Sequence, residues 1–250
     1  MELTNNHVVF ISGGASGLGA ESARQFAAAG VKVVAADLNI PEEQTPGVHY
    51  VQTDVTDPVQ VNAAIAEATK LGELRCALAC AGIAPSMRIV GRKGTHDPAL
   101  FSKVININLC GSFHVLSAAA EAMSQLEPID DAGQRGVVIL TASVAAFEGQ
   151  IGQAAYAASK GGVHALTLTA ARDLATQGIR VCAIAPGVVD TPMMAAMPDN
   201  VRTELEQRVP FPQRMAHPAE YGKLARAIID NDYLNGETAR LDGALRMQPR

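Results

Sequence analysis

Three side chains in the second half of the chain have types and spacing that suit acid–base chemistry. Tyr156 and Lys160 are four residues apart, and the residues after them have helical periodicity. Side chains at positions i and i+4 of a helix lie on one face, and a nearby ammonium favours a phenolate. We therefore expect Lys160 to lower the pKa of Tyr156 from its ordinary value of about 10. Ser143 follows a buried-strand pattern at 136–142 and could hold an alcohol or carbonyl oxygen. Taken alone, the three residues are equally compatible with an ordinary strand–helix junction.

A glycine-rich turn near the N-terminus predicts a dinucleotide site. The apolar run 7–11 leads through Ser12 into Gly13-x3-Gly17-x-Gly19, and an alanine-rich helix pattern at 20–29 follows. In this arrangement, backbone N–H groups and the helix N-terminus receive a pyrophosphate. Such turns also occur for purely structural reasons. If the turn binds a cofactor, the contacts are expected from Gly13, Ser16, Gly17 and Leu18.

Asp37 indicates which dinucleotide binds. It ends the next strand pattern, 31–36, at about the 20-residue distance that such folds require. A carboxylate there accepts hydrogen bonds from the adenosine ribose and repels the 2′-phosphate of NADP. No compensating Arg or Lys stands at Ala15, Ser16 or Leu38. The sequence therefore predicts NAD as the cofactor.

Other candidate residues also follow predicted strands. Asp54 follows the pattern at 48–53, where it could reach an adenine or could cap the next helix. Gly82 follows the strand pattern at 74–81, and Pro186 follows that at 179–185. Parallel sheets bind ligands beyond the carboxyl ends of their strands, so these positions and Ser143 are expected to converge.

Asn108 is a polar residue within an otherwise apolar helix pattern at 101–124. A buried amide needs hydrogen-bond partners. Asn108 therefore predicts either a local irregularity of the helix or a bound water.

Strands alternate with helices and short connections, which predicts an α/β fold. We expect one domain over residues 1–250, a Rossmann-type doubly wound parallel sheet of about seven strands with helices on both faces. The content of 48% hydrophobic and 18% charged residues is that of a globular protein. A net charge of −5 argues against nucleic-acid binding.

The expectations about localisation and metal sites rest on patterns that are absent from the sequence. There is no leader-like N-terminus and no continuous apolar run near the roughly 18 residues of a membrane span, so we expect no membrane segment. The expected location is cytoplasmic, or the mitochondrial matrix in a eukaryote. The four cysteines are expected to be core thiols, and the six scattered histidines predict no metal site.

Over essentially its whole length the chain resembles the short-chain dehydrogenase/reductase family. The resemblance rests on the glycine turn, Asp54, Ala81-Gly82, Asn108, Ser143 with Tyr156-x3-Lys160, and Pro186-Gly187 with Thr191. It implies hydride transfer at a carbinol carbon, with Tyr156 as base, Ser143 on the substrate oxygen and Asn108 anchoring a water. It also implies that Lys160 binds the nicotinamide ribose. Further cofactor contacts are implied for Val55, Ala81, Gly82, Pro186, Val189 and Thr191.

The chain departs from the family pattern at two places. Ser12 stands where the family usually has Thr, and Ala79-Cys80-Ala81-Gly82 stands where it has Asn-Asn-Ala-Gly. Those amides normally brace the central strand, so the second departure puts stability in doubt more than catalysis.

Within the family, the closer resemblance is to the branch that acts on 3-hydroxyacyl-CoA. It is carried by segments 141–150, 152–156, 209–212 and 218–221, and above all by the tail at 234–249. It implies NAD-dependent interconversion of 3-hydroxyacyl-CoA and 3-oxoacyl-CoA by a homotetramer. The rival functions are a dehydrogenase of another alcohol or ketone, such as a steroid or an acyl-carrier substrate, and a non-catalytic NAD-bound scaffold. The intact Ser143, Tyr156 and Lys160 argue against the scaffold.

Substrate contacts are expected from Ser143 and Tyr156, and from Gln150 and Gln153 unless these two cap their loop. A basic cluster, Arg88, Arg92 and Lys93, could bind CoA phosphates or be a solvated loop. A methionine-rich stretch with Met193, Met194 and Met197 suits an adaptable lid at about 187–212, or ordinary core packing.

Overall fold

A seven-stranded parallel sheet lies at the centre of the computed structural model, which describes residues 1–92, 94–195 and 197–249. The strands in chain order are β1 (His7–Ser12), β2 (Lys32–Asp37), β3 (Val48–Gln52), β4 (Glu73–Ala79), β5 (Val90–Gly91), β6 (Gly94–Thr95), β7 (Gly136–Thr141), β8 (Ile179–Pro186) and β9 (Thr238–Leu241). The order across the sheet is β3-β2-β1-β4-β7-β8-β9, and β5 pairs with β6 as a separate small hairpin.

Helices cover both faces of the sheet. They are α1 (Gly17–Ala28), α2 (Pro58–Leu71), α3 (Pro98–Ile105), α4 (Gly111–Ser124), α5 (Ala154–Asp173), α6 (Pro192–Ala195), α7 (Asp199–Gln207) and α8 (Pro218–Asp230). Alternate residues of β1 face opposite sides, as a strand requires. Val8 and Phe10 join one core cluster with α2, α4 and α5, whereas Val9 and Ile11 join the other with α1 and α8. The predicted fold class is confirmed.

The strand order creates a switch point between β1 and β4. The helix after β1 is α1, which packs on one face, and the helices after β4 pack on the other. The loops that leave β1 and β4 therefore diverge and open a crevice at the carboxyl ends of the strands. This crevice is the place where the sequence predicts that the candidate residues meet.

The helical segment Pro98–Ser124 begins earlier than predicted because Asp97 caps it, accepting a hydrogen bond from the Ala99 amide (2.9 Å). A π-helical turn, Asn106–Cys110, interrupts it, so the predicted irregularity at Asn108 is confirmed. The segment is long and apolar enough to cross a membrane by length and composition alone. Core helices of globular proteins meet the same criterion, and Val115 and Met123 of α4 are buried against the sheet.

Candidate active site

A cavity of about 1150 Å³ opens at the carboxyl ends of the strands. Residues that follow β1, β2, β4, β7 and β8 line it. Among the sequence-predicted site residues, those on its wall are Gly13, Ser16, Gly17, Leu18, Asp37, Asp54, Val55, Ala81, Gly82, Ser143, Gln150, Gln153, Tyr156, Lys160, Pro186, Val189 and Thr191. Asn108 is not on the wall.

The glycine turn has a shape that side chains would destroy. Gly13 (φ +67°) and Gly17 (φ +53°) have left-handed backbone conformations that favour glycine. A Cβ on Gly13 would lie 2.7 Å from the Ala81 nitrogen, and one on Gly19 would lie 2.1 Å from the Gly13 oxygen. Because α1 begins at Gly17, its N-terminus faces the cavity, where it suits phosphate groups. The turn therefore fits a dinucleotide cofactor.

Asp37 and Asp54 both lie on the wall but are held differently. The Asp37 carboxylate accepts a hydrogen bond from the Ala15 amide of the glycine turn (3.0 Å). Asp54 accepts from the Thr56 amide (2.8 Å) and hydroxyl (2.7 Å). The alternative that Asp54 caps the next helix is wrong, because Asp57 caps α2 through the Val59 amide (2.9 Å).

Ser143, Tyr156 and Lys160 come together at the centre of the cavity. Ser143 lies two residues beyond the end of β7, and its Oγ accepts a hydrogen bond from the Ala145 amide (3.2 Å). Tyr156 and Lys160 share a face of α5, with the Lys160 Nζ 5.8 Å from the centre of the Tyr156 ring. Nζ donates a hydrogen bond to the Thr141 carbonyl oxygen (2.6 Å). The predicted constellation is therefore assembled around one point.

The electrostatics of this set differ from the expectation. Burial raises the pKa of the Tyr156 phenol, and the hydrogen bond with Ser143 opposes that rise only in part. Burial also lowers the pKa of Lys160 to about 8. The prediction of a net lowering of the Tyr156 pKa is wrong for this geometry, because the Lys160 Nζ donates to the Thr141 carbonyl and desolvation dominates at the phenol. The phenol is held neutral.

Asn108 lies behind the cavity wall and is fully buried. Its amide nitrogen donates to the Ile83 carbonyl (2.9 Å) and to the Ser159 hydroxyl (3.1 Å), and its oxygen accepts from the Ile83 amide (2.9 Å). Both N–H groups are thus used inside the protein, so a water at Asn108 could be held only through an oxygen, and the water-anchoring role stays a prediction. Asn108 joins the π-helical turn to α5 and to the loop after β4.

The Cys80 position, where the family has an amide, is braced by a different group. The Tyr221 hydroxyl of α8 lies 2.7 Å from the Thr141 Oγ1 and accepts a hydrogen bond from the Cys80 Sγ (3.6 Å). Tyr221 is fully buried. The ends of β4 and β7 are therefore tied together through α8, which removes the doubt that the departure raised.

Part of the cavity wall is apolar. Ile83, Ile151 and Val201 line it, and so do Met193, Met194 and Met197 of the lid segment, residues 187–212. Met194 also packs against an apolar cluster, so lining and packing roles both occur among these methionines and the lid stays a prediction.

Gln150 and Gln153 have partners within the protein. The Gln150 side chain donates to the Gln248 carbonyl (3.0 Å), and the Gln153 amide lies 3.5 Å from the Gln150 oxygen. Gln153 precedes α5 without making a side-chain cap. Both side chains therefore link the substrate-side loop to the C-terminus as well as lining the cavity.

Arg88 and Arg92 of the basic cluster are not among the residues on the cavity wall. Arg88 and Arg92 are exposed near the β5–β6 hairpin, while Lys93 lies outside the described residues. Ser86, two residues before Arg88, does line the cavity. The loop thus leads from the cavity mouth to the two arginines.

Several wall residues escaped the sequence-based prediction. Ala99, Ser102, Lys103 and Asn106 form one face of the α3 segment, with the i, i+3, i+4, i+7 spacing that could have revealed it. Met247 reaches the wall from the C-terminus, for which no local signal exists. The four cysteines are free, and within the described ranges no group of three or more potential metal ligands occurs.

A family model described as short chain dehydrogenase matches residues 7–202. The chain belongs to the short-chain dehydrogenase family. It is 48% identical over 256 residues to 3-hydroxyacyl-CoA dehydrogenase type-2 of Drosophila melanogaster, covering 99% of this chain and 100% of that protein. The Homo sapiens protein of the same name is 48% identical over 251 residues, covering 97% and 96%. The crystal structure of 3-hydroxyacyl-CoA dehydrogenase type-2 from Mycobacterium avium superposes with a TM-score of 0.91 at 41% identity over 98% of each chain.

Membership of the short-chain dehydrogenase family makes the protein an oxidoreductase. A nicotinamide cofactor and a small-molecule substrate are general features of such dehydrogenases. The wall of the cavity includes the glycine turn, apolar side chains and Tyr156, and so has parts suited to both.

Proposed function

We propose that the protein interconverts 3-hydroxyacyl-CoA and 3-oxoacyl-CoA with NAD as cofactor. The observation that carries the proposal is one cavity whose wall combines Ser143, Tyr156 and Lys160 with the glycine turn and with apolar side chains. The full-length similarity to relatives named 3-hydroxyacyl-CoA dehydrogenase type-2 supports the substrate class.

The cofactor-binding residues are those of the glycine turn and the adjoining strand ends. Gly13, Gly17 and Gly19 leave room for a pyrophosphate, and Asp37 is placed to accept hydrogen bonds from the adenosine ribose. The same carboxylate would repel a 2′-phosphate, which supports NAD over NADP. When bound, NAD accepts a hydride from the carbinol carbon of the substrate.

Tyr156 exchanges the proton with the substrate oxygen. Ser143 donates a hydrogen bond to that oxygen and holds it beside the phenol. Because burial keeps Tyr156 neutral, it is ready to donate its proton in the reductive direction. In the oxidative direction it must first lose that proton, and the Lys160 ammonium, one helical turn away, then stabilises the phenolate.

The acyl group binds against the methionine-rich lid segment, and the CoA phosphates bind Arg88 and Arg92 beyond the cavity mouth. Arginine is suited to phosphate because its guanidinium donates paired hydrogen bonds. Changing both arginines to Glu should raise KM for 3-hydroxybutyryl-CoA at least tenfold and spare a short thioester without nucleotide. An equal effect on both substrates would reject the phosphate contact. Arg226→Glu, on the surface of α8, is the control.

We also propose a homotetramer in a reducing compartment, the cytoplasm or the mitochondrial matrix. Phe113 of α4 and Leu168 of α5 are 50% and 46% exposed, and such apolar side chains suit a subunit interface. The free cysteines suit a reducing compartment. Sedimentation at several concentrations would reveal a stable monomer if the assembly is wrong. Fractionation of the source cells would test the compartment.

The substrate proposal is tested by following NADH formation with 3-hydroxybutyryl-CoA and with a steroid alcohol. We expect kcat/KM to be at least a hundredfold higher for the CoA thioester. A clear preference for the steroid alcohol would reject the proposed substrate and would assign the protein to another branch of the family. No NADH from any alcohol, with NAD bound, would favour the scaffold.

A further inference from the structure

The C-terminal tail, residues 243–249, forms part of the active-site wall. Met247 lines the same cavity as Ser143 and Tyr156. It packs against a small apolar cluster that also receives Met194 and Leu205 of the lid segment. The cluster comprises Val188, Val209, Met215 and Leu245. The tail and the lid segment therefore meet on one apolar surface beside the reacting groups.

An ion-pair network holds the tail in that place. The Glu148 carboxylate accepts two hydrogen bonds from Arg240 of β9 (2.9 and 3.1 Å) and one from the Met247 amide (3.1 Å). Arg246 lies 3.4 Å from the same carboxylate, and both arginines also pair with Asp242. Two carboxylates thus balance two guanidinium groups. We call Glu148, with its contacts to Arg240 and to the Met247 amide, the latch.

The latch joins the tail to the loop between Ser143 and Tyr156. Within that loop the Ile151 amide donates to the Pro249 carbonyl (3.0 Å), and the Gln150 side chain donates to the Gln248 carbonyl (3.0 Å). Arg240 also lies over the Phe147 ring, 5.1 Å from its centre. The loop and the tail are therefore held as one unit.

We propose that the tail is the acyl-side wall of the site, that Met247 sets the length of acyl group accepted, and that the latch positions both. The specificity part rests on the proposed function, whereas the latch does not. An apolar pocket discriminates acyl groups through contact area, because each additional buried methylene group adds to the hydrophobic stabilisation. A side chain with the flexibility and volume of methionine at the wall therefore governs which chains fit.

The specificity test compares 3-hydroxybutyryl-CoA with 3-hydroxyoctanoyl-CoA. Met247→Trp narrows the cavity, so the ratio of kcat/KM for the longer over the shorter substrate should fall tenfold or more. Met247→Ala should raise that ratio, while both variants keep the wild-type affinity for NAD. Ratios within twofold of wild type in both variants would overturn the specificity role.

The latch test uses Glu148→Gln, which keeps the shape of the side chain and removes its charge. Hydrogen–deuterium exchange at the Ile151 and Met247 amides should be at least fivefold faster, because both amides donate across the loop–tail contact. KM for 3-hydroxyoctanoyl-CoA should rise about fivefold and KM for NAD should stay unchanged. Glu67→Gln breaks an exposed ion pair with Lys70 on α2 and should alter none of these.

The two proposals fail in different ways. Unchanged amide exchange in Glu148→Gln would overturn the latch whatever the protein catalyses. A second combination of results is faster amide exchange in Glu148→Gln with a wild-type protein that turns over no 3-hydroxyacyl-CoA. That pair of results would keep the latch and would reject both the proposed substrate and the chain-length role of Met247.

Discussion

Lys160 and Thr141 are joined by a hydrogen bond of 2.6 Å from the lysine Nζ to the threonine carbonyl oxygen. Thr141 ends β7, and Ser143 lies two residues farther along the same chain segment. The strand that presents Ser143 therefore also anchors Lys160. On the other side of the sheet the Thr141 hydroxyl lies 2.7 Å from the Tyr221 hydroxyl, so α8 fixes the same strand end. The spacing of Ser143 from Lys160 is thus set by the core.

Replacing Lys160 by Met should abolish turnover. It should also remove the loss of folding free energy that comes from burying the lysine charge. Burial lowers the pKa of Lys160 from its ordinary 10.5 to about 8 in the folded protein. Between those pH values the unfolded chain binds a proton that the folded protein does not, so the wild-type free energy of unfolding rises with pH there. Relative to Lys160→Met, the wild-type protein should gain up to about 3 kcal/mol as the pH rises through this window.

Chemical denaturation of both proteins below and above this window measures the difference. Lys70→Met, at an exposed position of α2, is the matched control and should show no such trend. A constant difference between wild type and Lys160→Met across the window would contradict the buried-charge assignment.

Gly19→Ala should damage the cofactor site. The added Cβ would lie 2.1 Å from the Gly13 oxygen, so the turn must move. We expect NAD affinity, measured by calorimetry, to fall at least tenfold and the free energy of unfolding to fall by about 1–3 kcal/mol. Gly161→Ala in α5 meets no atom within 4 Å and should stabilise the protein by about 0.5–1 kcal/mol. Similar NAD affinities in the two variants would disprove this account of the turn.

Asp37→Ser should shift the cofactor preference. In the proposed function, this carboxylate accepts hydrogen bonds from the ribose hydroxyls of NAD and repels a 2′-phosphate. We expect the ratio of kcat/KM for NAD over NADP to fall at least tenfold, as measured in the oxidative direction with one substrate. Asp54→Ser removes the neighbouring strand-end carboxylate and serves as the comparison. If both variants keep the wild-type ratio, Asp37 does not determine the preference.

The parts of the site that the sequence predicts are those encoded by local patterns. The glycine turn, Asp37 and the Ser143, Tyr156 and Lys160 set each follow a recognisable strand, and parallel-sheet topology brings strand ends to one edge. The irregularity at Asn108 was also predictable, because a buried amide within an apolar helix needs hydrogen-bond partners.

The remaining features depend on contacts between distant segments. Met247 lies on the wall in a tail whose contacts, such as the hydrogen bond from the Met247 amide to Glu148, join residues far apart in sequence. The pKa directions of Tyr156 and Lys160 depend mainly on their burial, which spacing alone does not reveal. Likewise, the bracing by Tyr221 compensates for Cys80 from a different helix.

The most direct measurement of the central claim is NADH formation from 3-hydroxybutyryl-CoA by wild type and Tyr156→Phe, with NAD binding measured by calorimetry on both. The phenylalanine keeps the ring and removes only the hydroxyl that carries the proton. We expect wild type to form NADH and kcat of the variant to fall about 10²–10⁴-fold, with NAD affinity within twofold. A variant that oxidises the substrate at the wild-type rate would contradict the assignment of Tyr156 as the proton-transfer residue.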